Sequence, residues 1–136
     1  MPATLATIED AVIIAAGRGT RMRPTTRAVP KEFLPNFDRP LIHSTIEEAA
    51  ACGVQRVTIV TSDRSEPFLE RYFASLDAEE RDDPRFAGLR SILDHVEVRW
   101  VRQPEPRGTG NATLHARDAG VEGPFLLMLP DMVFPS

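Results

Sequence analysis

"DAVIIAAGRGTRMRPTTRAVPKEFLP", residues 10–35, joins a short apolar run to a long basic loop. Residues 10–17 are almost wholly apolar and end on a glycine. That length and that ending read as a buried strand. Residues 18–39 then carry Pro24, Pro30 and Pro35 among several Thr and Arg. Proline removes a donor and fixes φ, so the spacing predicts a long irregular loop, of the kind compact domains keep for function. A buried strand that empties into a functional loop sets the expectation for everything downstream.

Working outward, "PLIHSTIEEAAACG" (40–53) opens on Pro and closes on Gly, with Leu41, Ile42, Thr45, Ile46 and Ala49 at helical spacing. "QRVTIVTSD" (55–63) reads as a second buried strand. "SEPFLERYFASL" (65–76) reads as an amphipathic helix with Ser65 as its N-cap and Pro67 in the first turn. "DAEERDDPR" (77–85) reads as a solvated charged segment. A short helix over 87–95 follows, then an alternating strand at 96–103 with Trp100 on its core side. A Gly-bounded helix at 108–120 and an apolar strand at 123–131 complete the pattern. Strands alternating with helices predict an α/β fold, a Rossmann-like, mostly parallel sheet with helices on both faces. In such sheets ligands bind beyond the carboxyl ends of the strands. The residues to watch are therefore Gly17 onward, Ser62–Asp63, Gln103 to Gly108, and Asp131.

The chain has 136 residues, enough for one core and one domain. Its formal net charge of −4 disfavours non-specific nucleic-acid binding. The apolar run at 11–16 has no basic segment before it and is too short to span a bilayer, so neither a membrane nor a leader is expected and the expected location is cytoplasmic. The single cysteine, Cys52, excludes an internal disulfide and is expected to be a small buried residue near a helix end. His43, His95 and His115 show no metal-ligand spacing, and no Ser, Cys or His arrangement marks a nucleophile.

The charge of the loop is the chemical signal. Arg18, Arg21, Arg23, Arg27 and Lys31 fall within fifteen residues with no acid among them. Like charges so close repel unless something neutralises them. A polyphosphate would do so, and so would acids from elsewhere in the fold. Gly17 and Gly19 let backbone N–H groups approach a phosphate, although neither GxGxxG nor the Walker A pattern is met. Lys31 is the sole lysine beside fifteen arginines. That points to a site needing a compact point charge rather than a planar guanidinium, with chance survival the alternative. Asp131 follows an apolar strand, where an unpaired carboxylate is costly. A cation, an arginine or a helix N-terminus would each relieve it.

Gly17-x-Gly19-Thr20-Arg21-x-x-Pro24-x-Thr26-x-x-x-Pro30-Lys31-x-x-x-Pro35 resembles the signature of sugar-1-phosphate nucleotidyltransferases. With Pro30-Lys31-Glu32 and Asp38-Arg39-Pro40-Leu41-Ile42, the text is most similar to bacterial UTP–glucose-1-phosphate uridylyltransferases. "VRQPEPRGTGNA" (101–112) and "LPD" (129–131) extend the likeness from about residue 10 to the end. The resemblance implies that the backbone at Ala16 and Gly17 meets base and ribose, with Gly19 and Thr20 in the same nucleotide-binding turn. It implies that Arg21 and Lys31 hold the triphosphate as the catalytic cations. Gln103 then reads the pyrimidine edge, Gly108 passes close to the base, and Asp131 ligates Mg²⁺. The implied reaction transfers a uridylyl group from UTP to a sugar 1-phosphate, glucose-1-phosphate, and releases pyrophosphate.

Members of that family are roughly twice as long, so the resemblance places the nucleotide-binding half in these residues and the sugar-binding half outside them. The expected fold is to that extent truncated. Asn111 stands where uridylyl-transferring relatives often carry His. Two other functions stay open on the sequence: a non-catalytic nucleotide-binding module or subunit, and a thymidylyl- or cytidylyl-transferring relative. An uncovered strand edge or apolar surface at "FLLMLP" is expected to favour a homo-oligomer or pairing with another chain.

Overall fold

The computed structural model describes residues 8–17, 19–105 and 108–130. The elements run β1 (Asp10–Ile14), β2 (Pro35–Asn36), β3 (Arg39–Pro40), α1 (Leu41–Ala51), β4 (Arg56–Thr61), α2 (Glu66–Tyr72), α3 (Ala78–Asp82), α4 (Ala87–His95), β5 (Glu97–Arg102), α5 (Thr109–Asp118) and β6 (Phe125–Met128). Four strands form one parallel sheet in the order β5-β4-β1-β6. The expected α/β fold, with a parallel sheet between helices, is the observed one.

The topology follows from the right-handedness of parallel crossovers. From β1 to β4 to β5 the chain steps in one direction, and α1, α2 and α4 fall on one face. From β5 it returns past β4 and β1 to β6, so α5 covers the other face. The period-2 alternation of the strands supplies both cores. Ala11, Ile13, Val57 and Ile59 pack against Ile42 and Ile46 of α1, Leu69 of α2 and Ile92 of α4. Val12 and Val60 point the other way, onto Ala112 and Ala116 of α5. Ile13, Ile42, Ile46, Ile59 and Leu69 are fully buried, each contributing about 1.5–3 kcal/mol of apolar burial. Truncating Ile59 to Ala, at the centre of the larger core, would cost about 2–5 kcal/mol.

Several local readings differ from expectation. The loop after β1 is more ordered than an irregular segment: it holds three single 3₁₀ turns, Thr20–Met22, Thr25–Arg27 and Lys31–Phe33, and the small β2–β3 hairpin. Three prolines and short Thr-rich stretches permit turns but no longer helix. Residues 77–85 are charged and solvated as expected, yet contain α3, held by a capping box in which Asp77 and Glu80 bond each other's backbone N–H. Cys52 is exposed, not buried. It follows the last residue of α1, and Gly53 then turns the chain at φ 92°, so the core-facing stripe has already ended at Ala49. Trp100 is half-buried against the larger core, 6.5 Å from Phe73 centroid to centroid. At the other end of the sheet Leu127 and Leu129 are 50% and 48% exposed, the uncovered apolar surface expected of this stretch. Among the described residues no helix is long and apolar enough to cross a membrane.

Candidate functional site

Three strand exits meet in one place. Ala16 and Gly17 leave β1, Ser62 to Ser65 leave β4, and Gln103 and Pro104 leave β5. Together with Arg23 they line a cleft of about 300 Å³ at the carboxyl end of the sheet. This is where a parallel α/β sheet is open to a ligand, because the strand ends diverge into separate loops.

The β1 exit is held to the sheet by Ala15 N, which donates to Val60 O at 2.7 Å. The basic loop then folds back over it. Lys31, fourteen residues later, brings Nζ to 3.6 Å from where a Cβ on Gly17 would stand. The loop is pinned by Thr26, fully buried, whose Oγ1 donates to Gly19 O at 2.7 Å. Gly19 adopts φ 65°, and a Cβ there would lie 2.9 Å from Thr26 Cγ2, so this position needs glycine on two counts. Arg21, Arg23 and Arg27 are exposed, and among the described residues none of their side chains makes an ion pair or hydrogen bond. No acid among the described residues neutralises these three.

At the β4 exit Ser65 stands at the N-cap of α2 as expected, but without the side-chain bond of a cap. Ser65 is helical in backbone conformation and its side chain caps nothing. Ser62 does that work: its Oγ accepts from Ser65 N at 3.3 Å and its carbonyl accepts from Glu66 N at 3.0 Å. Pro67 cannot donate, so the turn begins earlier than a count from Ser65 would place it. Beneath this turn sits Glu32, 1% exposed, with neither carboxyl oxygen reaching a hydrogen-bond partner among the described residues. Burial pushes its pKa up; Ser65, Lys31 and Arg64 nearby pull the other way, and desolvation wins.

The β5 exit carries Gln103, 5% exposed. Its backbone N donates to Thr61 O at 2.7 Å, and its Nε2 donates to Asn111 Oδ1 at 2.9 Å on the first turn of α5. Gly108, exposed at φ 87°, precedes that helix.

Of the residues singled out in the sequence, Ala16, Gly17 and Gln103 line the cleft, and Lys31 lies over Gly17. Gly19 and Arg21 stand on the loop beside it, where Thr20 begins the first 3₁₀ turn. Gly108 stands at the start of α5. Arg18 and the metal candidate Asp131 lie outside the described residues. Among the described residues no cluster of three or more His, Cys, Asp or Glu could hold a metal. Arg64 also lines the cleft and was not foreseen; its place right after Ser62–Asp63 at a strand end was the available signal.

A larger cavity, about 530 Å³, lies apart from the strand exits and is lined by Arg39, His43, Tyr72 and Arg85. Its charges satisfy one another. Arg39 pairs with Asp38 and Glu47, and Arg85 with Asp83. His43 Nδ1 and Tyr72 Oη are 2.7 Å apart; burial holds the imidazole below its usual pKa and pushes the phenol up to about 12, so both are neutral near pH 7. Size alone does not make it the better candidate, because it presents no unsatisfied charge for a ligand to meet.

Comparison with known proteins gives the family and the fold. Residues 10–135 match the family described as nucleotidyl transferase. The chain is 37% identical over 135 residues to the UTP–glucose-1-phosphate uridylyltransferase YngB of Bacillus subtilis, covering 95% of this chain and 45% of that protein. It is 34% identical over 134 residues to the Escherichia coli K12 UTP–glucose-1-phosphate uridylyltransferase, covering 93% of this chain and 44% of the relative. A UDP-glucose pyrophosphorylase solved in complex with UDP-glucose superposes with a TM-score of 0.79 at 35% identity, covering 91% of this chain and 46% of the other. A UTP-bound enzyme of the same kind from Acinetobacter baumannii gives a TM-score of 0.76 at 36% identity, with coverages of 91% and 46%. The chain thus spans somewhat under half the length of these relatives. By its sequence, its parallel sheet and the loop that follows its first strand, the chain belongs to the nucleotidyl transferase family.

Proposed function

We propose that the cleft binds UTP and that this domain supplies the nucleotide side of uridylyl transfer to glucose-1-phosphate, giving UDP-glucose and pyrophosphate. The observation that carries the reading is the group of three arginines, Arg21, Arg23 and Arg27, that no acid among the described residues pairs, on a glycine-containing loop at the strand exits, with the Lys31 ammonium folded over Gly17. A triphosphate is the ligand whose charge matches that surface. Both the curated relatives and the superposed structures are named for UTP or UDP-glucose chemistry.

In this reading an oxygen of the sugar phosphate attacks the α-phosphorus of UTP in line. The new P–O bond forms as the bond to the β-phosphate oxygen breaks, and pyrophosphate leaves with the electron pair. No protein nucleophile is needed, so the task is to bring two anions together and hold them aligned. Lys31 offers a compact charge beside Gly17. Arg21 and Arg23 offer forked donors for the departing pyrophosphate. Gly17 leaves the backbone open to the nucleotide, and buried Gln103 presents its amide to the base.

Mg²⁺ arriving with the nucleotide would supply positive charge that offsets the phosphates' own. It needs only one or two protein carboxylates, which fits a cleft lined by the single carboxylate Asp63, with Asp131 as the proposed further ligand. Isothermal titration of the protein with Mg·UTP tests the binding, and pyrophosphate release on adding glucose-1-phosphate tests the transfer. Binding without release would make this chain a nucleotide-binding module; absence of both would remove the reading.

A further inference from the structure

We propose that Thr26 is a positioning residue for phosphate binding: its buried hydroxyl closes the basic loop into a ring that presents Arg23 to the cleft. This rests on reading the cleft as the nucleotide site. Thr26 itself is 1% exposed, so it acts through the loop and not on a ligand. Its grip is on Gly19, seven residues earlier in the chain. Oγ1 donates to Gly19 O at 2.7 Å, and a carbonyl can only accept, so the direction of this bond has no alternative. The methyl of the same side chain also lies against Gly19, 2.9 Å from where a Cβ would stand. A β-branched side chain is stiff at χ1, so hydroxyl and methyl hold Gly19 as one clamp.

The loop needs such a clamp. Thr20–Met22 and Thr25–Arg27 are each a single 3₁₀ turn, and their backbone bonds are local ones. Met22 N donates to Gly19 O at 3.2 Å, and Arg27 N to Pro24 O at 2.9 Å. The Thr26 bond crosses from the second turn to the first. Arg21 and Arg23 lie on the segment it closes, and Arg27 follows it directly. Guanidiniums this close in the chain repel one another, which favours an open loop when no anion is present. Burial keeps water from competing for the Thr26 bond, so the bond can oppose that repulsion. With the loop already closed, Arg23 stands in the cleft wall before a ligand arrives, and the entropy of ordering it does not oppose binding.

The experiment is titration of the full chain with Mg·UTP and with magnesium tripolyphosphate, which carries the phosphates without the base. Thr26→Val keeps the shape and removes the donor. It should weaken both ligands by the same factor, about five- to twentyfold, the scale of one buried hydrogen bond. Thr26→Ser restores the hydroxyl and should stay within about threefold of wild type. Melting curves accompany each titration, so that affinity is read on folded protein. If Thr26→Val shows no cooperative melt, Thr26→Ala set against Thr26→Ser makes the same comparison without the methyl. In an Arg23→Ala background the Thr26→Val step should shrink to about twofold, because the side chain it positions is gone. A merely structural threonine would cost the same in both backgrounds. Wild-type affinity without the hydroxyl, an equal loss in Thr26→Ser, a loss confined to Mg·UTP, or full additivity with Arg23→Ala each overturns the role of Thr26 while the nucleotide reading stands. A wild-type protein that binds neither ligand overturns both.

Discussion

Strands β1 and β4 treat charge in opposite ways at their two ends. At the amino end, Asp10 and Arg56 are partners in the sheet register, and the guanidinium forks onto the carboxylate at 3.0 and 2.9 Å. Glu9 adds a longer contact at 3.6 Å. At the carboxyl end the same strands release Gly17 and Ser62 into loops, and there Arg21, Arg23 and Arg27 face solvent without a carboxylate partner among the described residues. Other arginines resemble the first case: Arg39, Arg85 and Arg102 pair with acids at 2.6–2.9 Å. Among the described residues Arg64, Arg71, Arg90, Arg99 and Arg117 also lack such a pair; Arg90 bonds the Arg81 carbonyl and Arg99 the Thr58 hydroxyl, Arg71 and Arg117 each stand exposed beside an acid of their own helix, and Arg64 lines the cleft. Among the described residues the loop gathers three arginines, Arg21, Arg23 and Arg27, that no carboxylate pairs. In the proposed reading, charge used for stability is paired inside the fold, and the loop arginines are left for the ligand to pair.

The largest effect should come from separating these two uses. Lys31→Ala and Arg23→Ala should each weaken Mg·UTP binding by about ten- to a hundredfold, the scale of one or two charge-assisted hydrogen bonds, with the melting temperature nearly unchanged. Arg56→Ala should do the reverse, lowering the melting temperature and leaving UTP affinity intact. Calorimetric titration beside thermal melts reads both. Should Arg56→Ala weaken UTP as much as Lys31→Ala does, the division of labour between the two ends is wrong.

Next in size is the amino-end pair itself. Asp10 is 5% exposed while Arg56 is partly solvated, which limits the gain from pairing. Asp10→Ala should cost about 1 kcal/mol near neutral pH, or about 3–5 °C in melting temperature. The Arg56 hydrogen bond holds the Asp10 carboxyl below its usual pKa against the pull of burial. Its contribution is therefore complete above the unfolded value of about 4 and disappears as pH falls through the folded value. The gap between wild type and Asp10→Ala should be constant from pH 7 to 5 and close on further acidification; a gap that widens in acid would contradict the assignment.

The contrast between the ends also marks what was readable in the sequence. Apolar runs closed by Gly, with Pro-opened and Gly-closed helices between them, dictated a parallel sheet because few other arrangements bury so many continuous strands. The strand-exit rule then pointed to Gly17, Ser62–Asp63 and Gln103, and these converge. What stayed hidden depends on contacts between distant residues. Nothing local shows that Asp10 will face Arg56, or that His43 will reach Tyr72. Nothing local shows that Asn111 will hold Gln103. The capping box at Asp77 and Glu80 stands in the sequence as D-x-x-E, but the charge of the segment masks it. Glu32 was the least legible of all, since a glutamate beside a lysine between two prolines reads as surface.

That glutamate gives the smallest and sharpest test. It stands at the carboxyl end, as buried as Asp10 at the other, but without a guanidinium to fork onto it. Desolvation raises its pKa, where the Arg56 bond lowers that of Asp10. The signs of the two pH dependences must then be opposite. A raised folded value means that the fold is most favoured with Glu32 protonated, below its unfolded pKa of about 4.5, and that this advantage is lost as pH rises through the folded value. Glu32→Gln mimics the protonated form at every pH. It should match wild type at pH 4 and become more stable by about 0.5–1 kcal/mol at pH 7.5, a modest figure because Lys31, Arg64 and Ser65 already offset part of the cost. Melting curves of wild type, Glu32→Gln and Asp10→Ala between pH 3.5 and 8 should show one gap opening with pH while the other closes with acid. If Glu32→Gln is instead less stable than wild type at pH 7.5, the carboxylate has a partner that its geometry does not reveal, and the carboxyl end is not the uncompensated end of the sheet.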